Sequence, residues 1–327
     1  MKVTIVGAGL AAATAATTLN KKGHNIEVFE CRPHIAGNCF DSSVKGVRVH
    51  NYGPHAFHTD QQYVWDFVNQ YAKFNNFRHT VSARLRDNRI IPIPFNQQSE
   101  ALVGEWSLEK ILDELFVDYS EKQWGIPWDK LSKSICGRVP KMRDNDSPFY
   151  HMDQYQGVPL DGYTPMITNM FEGCNVHLGC DPDEWKKYRS DLVVYTGSID
   201  SYYDYCHGTL SYRSLRFELF EGAKTDWVQL NECNRNAHHT RTVDHSHWYS
   251  QKVQKTVFSR EYAEEFSRNN PATERFYPKP FESQDLYNKY KNMPKDNVLF
   301  VGRLGTYKYL DMDDCIKQTL TLVNKYI

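Results

Sequence analysis

The most constraining feature of the chain lies in its first thirty residues. A short apolar run (VTIV, residues 3–6) leads into Gly7-Ala8-Gly9, and an alanine-rich stretch follows to about Asn20, where Gly23 closes it. The period changes from strand to helix across the glycines, and a second short apolar run, residues 26–30, ends in Glu30. This G-x-G-x-x-A spacing at Gly7, Gly9 and Ala12, followed by an acid, is a dinucleotide-binding fingerprint. Gly7 permits the tight turn, Gly9 lets the backbone approach a pyrophosphate, and Ala12 keeps helix against strand. The phosphates then meet the free N–H groups and positive end of the helix, while Glu30 accepts from ribose hydroxyls. The same apolar start could pass for a signal peptide, but a cleaved leader has no reason to be followed by a strand ending in an acid.

The fingerprint alone leaves NAD and FAD open. A second glycine-bearing loop, Arg32 to Asn38 with Gly37, follows the acidic strand directly and suits a flavoprotein, in which more backbone must approach the cofactor. Near the other end, NVLFVG (residues 297–302) reads as a strand closing on Gly302, with Arg303 next and a helix from about Asp313. It is expected to rejoin the first strand's sheet, which makes the nucleotide domain discontinuous.

The rest of the composition narrows the class. The 327 residues suit two or three structural units. With 39 Lys+Arg against 40 Asp+Glu, the net charge of −1 argues against a protein built to neutralise nucleic-acid phosphates. No apolar run approaches the ~18 residues of a membrane span. The eight cysteines include no C-x-x-C pair and read as free thiols of a reducing compartment, so a cytoplasmic location is expected.

In the middle of the chain, residues 79–95 read as a hairpin turning at Asp87-Asn88, and residues 106–124 as helical, with Leu108, Ile111, Leu112, Leu115 and Phe116 on one face. Residues 134–158 read as loop, 161–172 as helix, 191–196 as buried strand, and 209–218, 225–230 and 252–259 as extended. The fold class expected is α/β: a Rossmann-like FAD-binding domain (1–75, 160–205 and 284–327), a reduced helical lobe with a mobile substrate loop (97–159), and an antiparallel sheet domain (76–96 and 206–283). Aromatic residues make up 14% of the chain, and several lie beside arginines; together they suit a stacked base and a diphosphate gripped by guanidinium forks.

Ten stretches carry a resemblance to a known family: HIAGNCFD (34–41), YGPHAFHTD (52–60), KQWG (122–125), RVP (138–140), QGVPLDGYT (156–164), YTGSID (195–200), YRSLRFE (212–218), Thr240-Arg241, FYP (276–278) and GRLGTYKYLDM (302–312). In that order they resemble the UDP-galactopyranose mutases, flavoenzymes that interconvert the six- and five-membered ring forms of UDP-galactose. The resemblance implies redox-neutral covalent catalysis in which N5 of reduced FAD attacks the anomeric carbon and UDP departs and returns. It implies that Arg138 and Arg241 grip the diphosphate, Arg138 from a mobile loop, and that His58 tunes N5 through a backbone hydrogen bond. Phe116 and Tyr119 would form the uracil platform with Trp124 beside it. Phe149, Tyr150, Asn231, Tyr277, Tyr309 and Asp311 would complete the substrate site. Fingerprint, loop, late strand and resemblance together give the cofactor set Gly7, Gly9, Leu10, Ala12, Glu30, Arg32, Gly37, Asn38, His55, His58, Thr196, Gly197, Gly302, Arg303, Tyr309, Asp311 and Met312.

His238, His239, His245 and His247 invite a metal reading, with the H-x-H at 245/247 suiting a strand that shows both rings on one face. No carboxylate or cysteine spacing completes a ligand set, so no metal is expected. The chain departs from the family at Ala12 (a glycine there), at His238-His239 (Pro-Tyr) and at Phe149-Tyr150 (Tyr-Phe). Only 22 residues separate Asn96 from Tyr119, where bacterial relatives carry a few dozen more and dimerise through that lobe. A monomer is therefore expected, with a dimer built through a different surface as the alternative. The sugar stays open: UDP-galactose by default, UDP-arabinopyranose or another sugar as alternatives. A flavin oxidoreductase and a non-catalytic nucleotide-sugar binder are the rival classes.

Overall fold

A computed structural model describes residues 1–132, 136–137 and 141–326. A five-stranded parallel sheet draws on both ends of the chain. Lys2–Val6 lies at its centre, between Asn25–Phe29 and Leu192–Tyr195, with Asn175–His177 and Val298–Phe300 outermost. The late strand thus joins the first strand's sheet, at its edge beside Leu192–Tyr195. The helix Leu10–Asn20 is buried almost all round, because its Ala and Thr side chains are short enough to lie between the sheet and the C-terminal helix Met312–Tyr326.

The second sheet has seven strands, in the order Tyr277–Pro278, Tyr212–Ala223, Lys255–Glu265, Arg241–Asp244, Gln229–Glu232, Val81–Arg84, Ile90–Ile93. All its neighbours run antiparallel except Gln229–Glu232 against Val81–Arg84, which is parallel. That one parallel pairing brings the early hairpin to the late strands, and so sets which distant residues share a surface.

The helical lobe packs on the hairpin: Trp106, Ile111, Leu115 and Phe116 form one core with Val81, Ala83, Ile91 and Phe95. Leu108 departs from the expected apolar face and is half exposed, because it opens the helix Leu108–Leu112 straight after the Ser107 cap, ahead of the packed turn. A π-turn, Asp113–Val117, follows before the helix Asp118–Trp124. The segment read as loop contains one short strand, Tyr155–Gly157, which pairs with Phe57–Thr59.

The H-x-H reading is corrected. His245–His247 form a single helical turn rather than a strand, because the Asp244 carboxylate caps it by accepting from the Ser246 N–H at 3.0 Å. Burial then separates the two rings: His245 bonds Ser259 at 2.9 Å, and His247 bonds the Thr225 carbonyl at 2.9 Å.

Candidate active site

The dinucleotide groove is built from backbone. Gly7 sits at φ +100°, and a Cβ there would run into the Thr196 hydroxyl, so only glycine fits the first turn. The second glycine loop folds against the first: Gly37 at φ +54° places its Cα where a Cβ on Gly9 would stand 3.7 Å away. Glu30 is buried, and its carboxylate accepts from the Ala8 N–H at 2.7 Å and the Arg32 N–H at 2.8 Å, which ties the two loops to the strand end. The resulting groove, about 650 Å³, is lined by Gly7, Gly9, Leu10, Glu30, Arg32, Gly37, Asn38, Thr196, Gly197 and Gly302. Ala12 does not line it; it is fully buried and holds the helix to the sheet. Arg32 crosses the groove mouth to Glu274, donates to Asn38 Oδ1 at 3.0 Å and lies over the Tyr52 ring. A glycine cradle at a helix N-terminus, with an acid at the strand end, fits the adenosine diphosphate half of a dinucleotide.

A second cavity, about 290 Å³, opens beside it. Asn38, His55, Phe276, Arg303, Asp311 and Met312 line both, so the two spaces adjoin. Register assembles its charged wall. Asn231 stands opposite Arg241, and Arg241 opposite Glu261, on three neighbouring strands. Glu261 Oε2 accepts from Arg241 Nε at 2.9 Å and Nη2 at 2.7 Å, while Nη1 has no partner among the described residues. Burial disfavours the Arg241 charge, but Glu261, Tyr119 and Tyr277 more than offset it and hold the guanidinium pKa well above its usual value. The buried side chain of Gln229 accepts from His79 Nε2 at 3.2 Å and donates to Asn231 Oδ1 at 2.8 Å. With its oxygen engaged, Asn231 keeps its NH2 as a donor for a ligand.

The helix Asp118–Trp124 supplies the aromatic wall, and two motif cations fix it in place. Lys122 Nζ shares its three N–H groups among four carbonyls, of Glu232, Asn234, Ala237 and His239, between 2.7 and 3.1 Å. The buried Arg213 donates to the Gln123 and Lys122 carbonyls at 2.8 and 3.0 Å and so satisfies the helix C-terminus. Phe116, one residue before the π-turn ends, and Tyr119 then face the cavity, with Trp124 against Tyr277 and Tyr309 at 6.0 and 5.8 Å between ring centres. The Arg303 guanidinium lies about 5 Å from both tyrosine rings. Burial raises the phenol pKa of Tyr119, Tyr150 and Tyr277, so each remains a neutral O–H donor.

Most of the residues singled out in the sequence come together here: His55, His58, Phe116, Tyr119, Trp124, Tyr150, Asn231, Arg241, Tyr277, Arg303, Tyr309, Asp311 and Met312. Phe149 does not; its ring packs against the Arg78 guanidinium at 4.1 Å, while Tyr150 next to it lines the cavity. Arg138 lies outside the described residues. Sequence reasoning missed His79, Gln229, Lys141 and His151, all on the cavity wall. The signal in the sequence for His151 is a histidine two residues before an acid, just ahead of the QGVP stretch.

Among the described residues, one group, His58, His151 and Asp153, brings possible metal-ligand atoms within 4.8 Å of one another. The two imidazoles are stacked, with centroids 3.7 Å apart and planes 15° from parallel. Their in-plane lone pairs therefore run side by side instead of converging on a common point, which a metal would require.

Comparisons with known proteins agree with this architecture. The UDP-galactopyranose mutase family model matches residues 114–309, and an NAD(P)-binding Rossmann-like model matches residues 5–71. A dTDP-fucopyranose mutase of Escherichia coli is 30% identical over 100% of this chain and 98% of its own length. A probable UDP-galactopyranose mutase of Klebsiella pneumoniae is also 30% identical, over 99% of this chain and 94% of its own. A crystal structure of reduced UDP-galactopyranose mutase superposes with TM-score 0.77 at 16% identity, covering 99% of this chain and 93% of that one, which shows a shared fold. No helix among the described residues is long and apolar enough to cross a membrane. With a family model over more than half of its length and relatives matched nearly end to end, the chain belongs to the UDP-galactopyranose mutase family of isomerases.

Proposed function

We propose that the protein interconverts the pyranose and furanose forms of a nucleoside-diphosphate sugar, with UDP-galactose the first candidate, and that it works with FAD in its reduced form. One observation carries the reading: the cavity holding Arg241, Asn231, Tyr277 and Tyr309 adjoins the dinucleotide groove along a shared wall. Reduced flavin, when bound, supplies the nucleophile for the anomeric carbon as the nucleoside diphosphate leaves.

The chain's own residues account for the remainder. Arg241, held by Glu261 with Nη1 unclaimed among the described residues, spreads the charge of the departing diphosphate. Arg138 is its proposed partner by family resemblance. Tyr277 and Tyr309 offer hydroxyls to the phosphate oxygens, and Asn231 donates to the nucleotide sugar. Phe116 and Tyr119 give a pyrimidine a flat surface, which suits uracil and thymine alike. A walled cavity also excludes water that would hydrolyse the activated sugar. The shortened helical lobe supports a monomer, which would elute near 38.2 kDa.

The test is chromatography of products from reduced, FAD-loaded protein with UDP-galactose, UDP-arabinopyranose and dTDP-fucopyranose. A furanose product from one or more of them is expected. The E. coli relative's name makes the deoxy sugar a specific second reading. Failure of all three, with consumption of an electron acceptor, would favour the oxidoreductase class.

A further inference from the structure

Changing a six-membered sugar ring to a five-membered one moves two protons. The ring oxygen gains one when the ring opens, and the hydroxyl that recloses the ring loses one. Four imidazoles line the cavity, those of His55, His58, His79 and His151. Two of them have a ring nitrogen committed to the protein: His55 Nδ1 donates to the Gly53 carbonyl at 2.8 Å, and His79 Nε2 bonds Gln229 at 3.2 Å. Among the described residues, His58 alone of the four has a carboxylate at ion-pair distance, with its Nδ1 3.2 Å from Asp153 Oδ2. The contact is close but not aligned as a hydrogen bond, which leaves Nδ1 otherwise unsatisfied and buried. Nε2 has no protein partner among the described residues.

The surroundings hold this pair in place. His58 stands opposite Gln156 on the paired strands, and Gln156 Nε2 donates to the carbonyls of His151 at 3.1 Å and Asp153 at 2.8 Å. The segment carrying His151 and Asp153 is thus tied to the strand facing His58. His151 stacks on His58 at 3.7 Å, too close for both rings to be charged. Burial, with His58, His79 and Arg143 nearby, pushes the His151 pKa down to about 2, so His151 is the neutral member. Among the described residues, the other charged and titratable groups on the cavity wall around His58 are His55, His79 beyond His151, Lys141, Arg241, Arg303, Asp311, Cys136 and the phenols of Tyr52, Tyr119, Tyr150, Tyr277 and Tyr309.

We propose that His58 is the proton-transfer residue of the sugar rearrangement, with Asp153 stabilising its charged form and His151 serving as the neutral plate that fixes its ring. The inference rests on the mutase reading. The imidazolium gives its proton to the ring oxygen as the carbon–oxygen bond breaks and its electron pair passes to oxygen. The neutral ring then takes a proton from the hydroxyl that attacks the anomeric carbon. His58 ends in its starting state, and no oxidant or reductant is consumed. Asp153 and His151 are positioning residues.

The experiment is a kcat–pH profile of reduced, FAD-loaded protein for the wild type, Asp153→Asn, His58→Gln and His151→Phe, with cofactor content and UDP affinity measured on each. Because the charged form starts the cycle, Asp153→Asn should move the alkaline limb down by about one pH unit with KM within about threefold. His58→Gln should erase that limb and lower kcat by about 10²–10⁴-fold while UDP still binds. His151→Phe, which keeps a stacking ring, should keep the limb. A limb unmoved by Asp153→Asn, or lost in His151→Phe, would overturn the assignment. A wild type inactive on every sugar would instead refute the mutase reading, so the two failures are distinguishable.

Discussion

The two adjoining spaces are made of different material. The groove is backbone: Gly7, Gly9 and Gly37 within one short span of sequence, with Glu30 tying the loops together through two N–H groups. The cavity is side chains: Arg241, Asn231, Tyr119 and Tyr277 arrive from four separate elements and are held by second residues, Glu261, Gln229, Lys122 and Arg213. A space made of backbone accepts one ligand shape and tolerates little change in its own residues. A space made of side chains can be retuned while the fold persists, which suits a family in which the E. coli and K. pneumoniae relatives are named for different sugars.

The strongest way to break that contrast is at the side-chain wall. Arg241→Ala should lower kcat/KM by about 10²–10³-fold with the flavin spectrum intact. Steady-state kinetics beside an absorbance ratio checks both halves, and loss of flavin would show the two spaces to be one unit. Gly7→Ala should do the reverse: the added Cβ meets Thr196 in a backbone conformation at φ +100°, so cofactor occupancy after purification should fall below about a tenth. A smaller effect follows from Gln229→Leu, which leaves His79 Nε2 and the Asn231 oxygen without their partner. The expected cost is about 1–3 kcal/mol, read as weaker UDP binding and a lower melting temperature.

Acid sharpens the contrast further. Burial is the largest cause holding His50 well below its ordinary pKa and pushing His79 and His245 down to about 3; His79 lines the cavity, His50 packs edge-on to His55 of the same wall, and His245 packs on His50. The unfolded chain takes up these protons below about pH 6.5 and the folded one does not. Stability is therefore full above pH 6.5 and falls as the pH drops towards 3, by up to about 1.4 kcal/mol per unit for each group. Hydrogen exchange at pH 5 should show Val81–Arg84 and Arg241–Asp244 losing protection before Lys2–Val6 and Leu192–Tyr195; equal loss in both sheets would remove the distinction.

Legibility in the sequence follows the same divide. The groove could be read because its determinants are local: spacing, a period change and an acid within thirty residues. Arg241 and Asn231 carried a family resemblance, but the pairing of Arg241 with Glu261 exists only through strand register, which no local pattern displays. Phe149 and Tyr150 show the limit sharply, since two adjacent rings go to different places, one onto Arg78 and the other to the cavity wall, and no local pattern says which. The H-x-H at 245/247 fits a strand period, but the Asp244 cap bends it into a turn. Lys122 and Arg213 sat inside recognised motifs, yet their work is mechanical: both grip backbone carbonyls that become neighbours only after folding.

The central claim is that a diphosphate-gripping cavity sits beside a reduced cofactor that is not used up. The direct measurement is the number of furanose molecules formed per reducing equivalent supplied, under strictly anaerobic conditions. The account predicts many turnovers from a single reduction, with the flavin still reduced at the end. One product per reductant, or reoxidised flavin without any furanose, would contradict it.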